Sequence, residues 1–161
     1  MNPTPHSITD AEASLAAEVT GFRNLITLLE SEQEALRKAD ADALADVVPA
    51  KLAQVNVLQE MGAARSRMLR GAGLSANAQG MRRMLSRCPN PVRARMQWDE
   101  LTQLAADALR RNELNMRLAS VQQRHVDRAV GALYAAAGQD TTYGADGRPH
   151  HHASTRALAS I

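Results

Sequence analysis

Aromatic residues and cysteine are scarce in this 161-residue chain. A single cysteine, Cys88, excludes an intramolecular disulfide and fits a reducing cytoplasm. No run approaches the roughly 18 apolar residues of a membrane span, and the first residues lack the basic and apolar regions of a signal peptide. We therefore expect a cytoplasmic protein without membrane insertion. Alanine, leucine, methionine and arginine are abundant instead, which is typical of all-α proteins; the few aromatic residues are Phe22, Trp98, Tyr134 and Tyr143.

Catalytic and metal-binding motifs are missing as well. The sequence contains no glycine-rich phosphate loop, no HExxH motif, no pair of cysteines and no nucleophile motif. His150, His151 and His152 are consecutive, but they have neither the spacing nor the surrounding residues of a metal site. The sequence therefore predicts a protein that is not an enzyme and that holds no metal or cofactor.

Charge is unevenly distributed along the chain, although the formal net charge is only +2. Residues 1–60 contain ten acidic and four basic side chains, whereas residues 61–98 contain eight arginines and no acid. These blocks are either complementary faces of neighbouring helices, or the basic block is a surface for phosphate or for an acidic partner. We do not expect nucleic-acid binding, because Trp98 is the only aromatic residue near the arginines and no known binding module is present.

The longest uninterrupted stretch runs from Pro91 to Ala137 and contains one glycine, Gly131, and no further proline. Proline suits the first helical position, and Gly138 supplies a stop signal after the stretch. A helix over 91–137 would be about 70 Å long at 1.5 Å per residue, which is too long for a compact globular core. Its packing partners must therefore be other long helices.

Two more long helices are predicted before it, over 9–39 and 41–70, and a short one over 76–87. Ser7 or Thr9 can cap the first, whose apolar residues have heptad spacing. We expect a kink or restart near Pro49 in the second, because proline removes a helical hydrogen bond. The apolar positions are Leu15, Val19, Phe22, Ile26, Leu29 and Leu36 in the first helix, and Leu44, Val48, Leu52, Val55, Leu58, Met61 and Leu69 in the second.

The predicted fold is thus all-α, an elongated antiparallel bundle of long, coiled-coil-like helices. The bundle domain covers 9–137, between a disordered N-terminus at 1–8 and a disordered tail at 138–161 that has no periodic apolar face. Tyr143 is the only aromatic residue in that tail. It is either incidental or a docking anchor, since tyrosine brings a large contact area at low entropic cost.

The second half of the long predicted helix is apolar enough to need covering, by this chain or by another protein. We expect the free protein to hide these residues either by folding the helix back or by weak self-association. Asn112 and Asn115 lie at the start of this stretch, on a face that a heptad would bury, and they either face solvent, fix the register of the bundle or bind a partner directly. The apolar residues are Leu114, Leu118, Val121, Val126, Val130 and Leu133.

The order of these features resembles the FlgN family of flagellar type III export chaperones. The segments that carry the resemblance are LLESEQEALRKADADAL in the first two helices, Asn112-x-x-Asn115 with the apolar run that follows it, and Tyr143-Gly144-x-x-Gly147 in the tail. It covers about residues 10–148.

The resemblance implies a cytoplasmic chaperone that binds the C-terminal helices of the hook–filament junction proteins FlgK and FlgL and delivers them to the export apparatus. It maps cargo binding onto Asn112, Asn115 and the six apolar residues, and docking on the export gate component FlhA onto Tyr143. The alternative from the sequence is a coiled-coil adaptor that scaffolds a complex without export cargo.

Overall fold

The structure is a computed structural model in which residues 5–136, 141–143 and 149–151 are described. The described residues form four helices: α1 (Pro5–Lys38), α2 (Ala41–Gly71), α3 (Ala78–Leu85) and α4 (Pro91–Ala136). Two three-residue strands follow, β1 (Thr141–Tyr143) and β2 (Pro149–His151). The chain divides into two compact units, Met1–Leu118 and Ala119–Ile161. The predicted all-α class is confirmed, and the helices of the first unit form a bundle.

The three long helices of the first unit, α1, α2 and α4, alternate in direction. Contacts of Glu18 with Arg65 and of Glu32 with Lys51 show that α1 and α2 are antiparallel. Contacts of Arg23 with Glu100 and of Glu30 with Arg111 show that α4 runs parallel to α1 and therefore antiparallel to α2. The buried core of this unit includes Leu15, Val19, Leu25, Leu29, Leu69, Met81, Met84, Leu85, Ala94, Leu101 and Ala108.

Local sequence signals explain most helix ends. α1 begins at Pro5, earlier than the predicted start at residue 9, so four of the residues expected to be disordered are helical and Ser7 and Thr9 lie inside the helix. Proline is well tolerated there, because the first N–H groups of a helix have no intrahelical partner. Asn90 caps α4, where its Oδ1 accepts the N–H of Arg93 at 3.1 Å.

Helix α3 is shorter than the predicted 76–87 because its start is fixed by a cap and a close backbone contact. Asn77 is the N-cap, and its Oδ1 accepts the N–H of Gly80 at 3.0 Å. Gly80 lies so near the preceding turn that an added Cβ would stand 1.8 Å from the carbonyl oxygen of Ser75. Only glycine fits this position without moving the turn. Met81 and Met84, which follow it in α3, are buried in the core.

The second helix passes through Pro49 as one element, so of the predicted kink or restart the restart does not occur, and the kink stays a prediction. The ring of Pro49 leaves the carbonyl of Ala45 without its helical N–H donor. Both residues are exposed, and solvent can therefore hydrate the freed carbonyl group. This exposure explains how one continuous helix accommodates the proline.

The face that α2 turns to α1 differs from the predicted apolar pattern. Val48 and Leu52 are exposed, whereas polar side chains of α2 reach α1. Gln54 donates to the carbonyl oxygen of Gly21 at 3.0 Å, in the same interface as the ion pairs of Lys51 and Arg65. The interface is therefore held by specific polar contacts as well as by apolar packing at Leu25, Leu29, Val55 and Leu58.

The second unit contains a short antiparallel strand pair, in which Thr142 lies opposite His150. The two strands occupy six residues of the segment 138–161, for which the sequence predicts a disordered tail. Threonine and tyrosine favour strands, and the lack of a periodic apolar face does not exclude so short a pair. Residues 137–140, 144–148 and 152–161 lie outside the described part of the chain.

Candidate partner-binding site

An apolar surface is exposed along the last third of α4. Val126, Val130 and Leu133 expose 54%, 42% and 71% of their surface. Leu114 and Val121 are exposed to a similar degree as Val130, and Leu118 is half-buried. All six apolar residues predicted for partner binding therefore have surface available for contact in the structure.

Those six residues occupy two faces of the helix. Leu114, Leu118 and Val121 follow at intervals of four and three, and so do Val126, Val130 and Leu133. The two sets begin twelve residues apart, which places them about 120° apart around an α-helix. We call Val126, Val130 and Leu133 the distal face and Leu114, Leu118 and Val121 the proximal face.

The distal face continues the spacing of the residues that α4 uses in the bundle. Intervals of three and four residues lead from Asn115 through Ala119 and Gln122 to Val126. Asn115 itself is buried against α1. The distal face thus has the spacing and apolar character of a core-facing helical stripe, yet its side chains are exposed. Such a stripe is suited to accept an amphipathic helix.

Asn115 is the one predicted binding residue that the structure buries, with 2% of its surface exposed. Its Nδ2 donates to the carbonyl oxygen of Leu29 and to Oε2 of Glu32, both at 2.8 Å. Glu32 is in turn paired with Lys51 of α2, so the amide lies in a polar network that joins three helices. Of the alternatives from the sequence, this geometry favours a role in fixing the register of the bundle.

Asn112 lines a groove in the first unit. The groove has a volume of about 260 Å³, and α1 contributes Phe22, Leu25 and Leu29 to its lining. Asn112 is half-exposed, and its only described contact is a 3.7 Å hydrogen bond from Nδ2 to the sulfur of Met116. Asn112 is therefore free to meet a partner, whereas Asn115 is not.

The docking of α4 on α1 close to these asparagines also involves ion pairs. Arg111 contacts Glu30 of α1 at 2.9 Å and Asp107 of its own helix at 2.8 Å. The hydrogen bond from Arg111 is the main cause that holds the pKa of Asp107 below its usual value. The same hydrogen bond raises the pKa of Arg111. Both side chains are partly open to water, so these contacts position α4 more than they stabilise it.

Cys88 is the only cysteine of the sequence, and its burial lowers the reactivity of its thiol. The thiol is buried between α3 and α4, and burial, together with the negative charge of Glu12 and a hydrogen bond to it, raises the thiol pKa from 9.0 to about 11. The thiolate is the reactive form of cysteine, so the thiol is inert at neutral pH. This position is structural.

The shifted thiol makes stability depend on alkaline pH. Between pH 9.0 and about 11 the folded state keeps a proton that the unfolded chain has lost, so the free energy of unfolding should fall as pH rises through this window. Urea unfolding at both ends of the window measures the effect. Cys88→Ala should remove this part of the slope, and an unchanged slope in that variant would contradict the assignment.

The described residues offer no other obvious chemistry. Among them, no group of three or more histidine, cysteine, aspartate or glutamate side chains is arranged to hold a metal ion. None of the described helices is long and apolar enough to cross a membrane. The backbone of Tyr143, the predicted docking residue, ends strand β1, and its side chain lies outside the described part of the structure.

Comparison with known proteins agrees with the helical architecture. The model of the family described as FlgN protein matches residues 1–151. A crystal structure of a flagella synthesis protein FlgN from Pseudomonas aeruginosa is similar to this chain, with a TM-score of 0.64 and 26% sequence identity. That similarity covers 74% of this chain and 90% of the Pseudomonas chain. No relative is found among curated proteins.

Proposed function

The chain belongs to the FlgN family, and from this premise we propose that it is a cytoplasmic chaperone for the hook–filament junction proteins FlgK and FlgL. Family membership and the Pseudomonas relative support a role as a chaperone in flagellar export. In the finer proposal, the protein binds the C-terminal helices of its cargo, prevents their premature assembly and delivers them to the export gate. It does so by binding, without catalysis.

The exposed distal face of α4 is the observation that carries this proposal. Val126, Val130 and Leu133 repeat every three to four residues, and each is more than two-fifths exposed. An amphipathic helix of the cargo would cover this face by placing its own apolar stripe against it. The same contact would shield the cargo stripe from aggregation before export.

The proximal face and Asn112 are also part of the proposed cargo surface. Twelve residues of α-helix separate the start of the proximal face from that of the distal face, so in this proposal the cargo contacts two faces of α4. Asn112 can donate to a backbone carbonyl of the cargo. Asn115 contributes indirectly in this proposal, by holding α4 on α1 through Leu29 and Glu32.

A moderate interface suits a chaperone that must release its cargo at the export gate. Before cargo binds, the exposed faces of α4 remain available for contact between two copies of the chain. Val126, Val130 and Leu133 have exposed side chains, and weak self-association or a fold-back of α4 would cover them in the absence of cargo.

Calorimetric titration of the purified chain with the isolated C-terminal segment of a junction protein from the same cell tests the proposal. We expect saturable binding with a negative heat-capacity change, since apolar surface is buried. A folded, helical sample that does not bind FlgK or FlgL segments would overturn the cargo assignment. A stable oligomer whose size is independent of concentration would favour the scaffold instead.

The proposal also includes docking of the tail on FlhA through Tyr143, an assignment supported by the resemblance of the segment around Tyr143. Tyr143→Ala should leave the affinity for the junction protein segment unchanged and should lower export of that protein in cells. Thr142→Ala, on the neighbouring position, is the matched control. Equal export of the junction protein by cells with Tyr143→Ala and by cells with Thr142→Ala would show that Tyr143 is not the docking residue.

A further inference from the structure

One end of the first unit is strongly basic. Residues 61–98 contain eight arginines and no aspartate, glutamate or lysine. They form the end of α2, all of α3 and the start of α4, which lie together because α3 follows α2 closely and leads into α4. Seven of the arginines are exposed, and we call them the arginine end: Arg67, Arg70, Arg82, Arg83, Arg87, Arg93 and Arg95.

In the described part of the chain, the acidic half neutralises only one arginine of this block. Only the eighth arginine, Arg65, pairs with an acid of α1, Glu18. Among the described residues, none of the seven members of the arginine end forms an ion pair, although Arg23 and Arg111 do so elsewhere in the same unit. Complementary packing of neighbouring helices therefore explains one arginine of the block and leaves seven guanidinium groups available to a partner.

The composition of the arginine end indicates what it would bind. Guanidinium groups bind carboxylates and phosphates through paired hydrogen bonds, and no lysine substitutes for them here. Among the arginines, Val92 and Met96 expose 69% and 68% of their surface. They are four residues apart and thus share one face of α4. The surface combines positive charge with an apolar pair.

This combination fits an acidic amphipathic protein segment better than it fits nucleic acid. Single-stranded nucleic acid is held by exposed aromatic rings on which bases stack. Trp98 is the only aromatic residue in the block, and it is half-buried with the guanidinium of Arg65 5.5 Å from its ring centroid. No exposed ring is therefore offered to a base, whereas Val92 and Met96 can contact aliphatic side chains.

We propose that the arginine end is a docking surface for an acidic amphipathic segment of a second protein. The carboxylates of that segment pair with the guanidinium groups of α3 and of the start of α4, and its apolar residues contact Val92 and Met96. None of these residues belongs to the proposed cargo surface. The inference is therefore independent of the cargo assignment.

Fluorescence anisotropy with a labelled helical peptide of glutamate, leucine and alanine provides the test, with poly-L-glutamate of equal length as a second probe. Arg82→Gln/Arg83→Gln/Arg87→Gln should weaken peptide binding about tenfold at low salt. The control, Arg37→Gln/Arg124→Gln/Arg128→Gln, changes three exposed arginines outside the arginine end and has the same net charge. Val92→Gln/Met96→Gln should weaken binding of the amphipathic peptide and leave poly-L-glutamate binding unchanged.

Three results would overturn the proposal. Equal losses in the two triple variants would show that only net charge matters. A triple variant of the arginine end that binds as the unmodified protein does would show that these side chains are not used. Stronger arginine-dependent binding to phosphatidylglycerol vesicles or single-stranded RNA than to the peptide would assign the surface to phosphate groups. Equal thermal midpoints establish that all variants are folded.

Discussion

A protein with the substitutions Val126→Asp and Leu133→Asp should bind a junction protein segment at least about 100-fold more weakly than the unmodified chain. Central apolar contacts of an interface contribute about 2 kcal/mol or more each, and two such losses exceed a factor of 100. Both side chains are exposed in the structure, so no core contact is removed. The measurement is the same calorimetric titration, together with circular dichroism to show unchanged helicity.

A matched control separates loss of the apolar face from change in charge. Arg37→Ser/Lys38→Ser lowers the net charge by the same two units, and both residues are exposed at the end of α1, outside the distal and proximal faces. This control should bind cargo within about threefold of the unmodified protein, as exposed charges contribute little. Equal losses in both variants would refute the distal face as the cargo surface.

The proximal face can be tested in the same way. Leu114→Asp/Val121→Asp changes two exposed residues and again lowers the charge by two units. If cargo wraps around α4, this variant should lose affinity as the distal variant does. Retained affinity would restrict the cargo surface to Val126, Val130 and Leu133.

Loss of the buried ion pair between α1 and α2 should have the largest effect on stability. Glu18 is almost completely buried, and Arg65 is the cation that contacts it. Arg65→Met keeps much of the side-chain volume but leaves a buried carboxylate without its charge partner. We expect the free energy of unfolding to fall by about 3 kcal/mol. Burial lowers the pKa of Arg65 from its usual value.

Urea unfolding followed by Trp98 fluorescence measures this change, since Trp98 is the single tryptophan and is half-buried in the folded protein. Arg67→Met is the control, because Arg67 is exposed two residues further along the same helix, and it should alter stability by less than about 0.5 kcal/mol. The double variant Glu18→Leu/Arg65→Met should recover most of the lost stability, as apolar replacements of buried pairs often do. An Arg65→Met protein as stable as the control would contradict the importance of the pair.

The heptad seam of α1 could be predicted from the sequence because it depends on local spacing alone. Leu15, Val19, Leu29 and Leu36 are buried as their intervals indicate. The seam of α2 could not be predicted in the same way, since its inward positions include Lys51, Gln54 and Arg65. A hydrophobic pattern cannot recognise a polar core position whose partner belongs to another helix.

The candidate site shows the same limit. The apolar residues after Asn112 are identifiable from sequence because an uncovered stripe has the same periodicity as a covered one. The contacts of Asn115 with Leu29 and Glu32 connect residues 86 and 83 positions apart, and no local pattern contains such a distance. The groove beside Asn112 depends on how three helices pack and is likewise invisible in the sequence.

The alanine content of α4 after Leu118 affects the entropic cost of binding a partner. Alanine is the strongest helix former, and Ala119, Ala129, Ala132 and Ala135 lie among the exposed side chains of this segment. The helix therefore owes its form to its own backbone preferences, and a partner meets a surface that is already ordered. Preorganisation of this kind lowers the entropic cost of association, so in the proposed function a small apolar face is sufficient to bind a cargo helix reversibly.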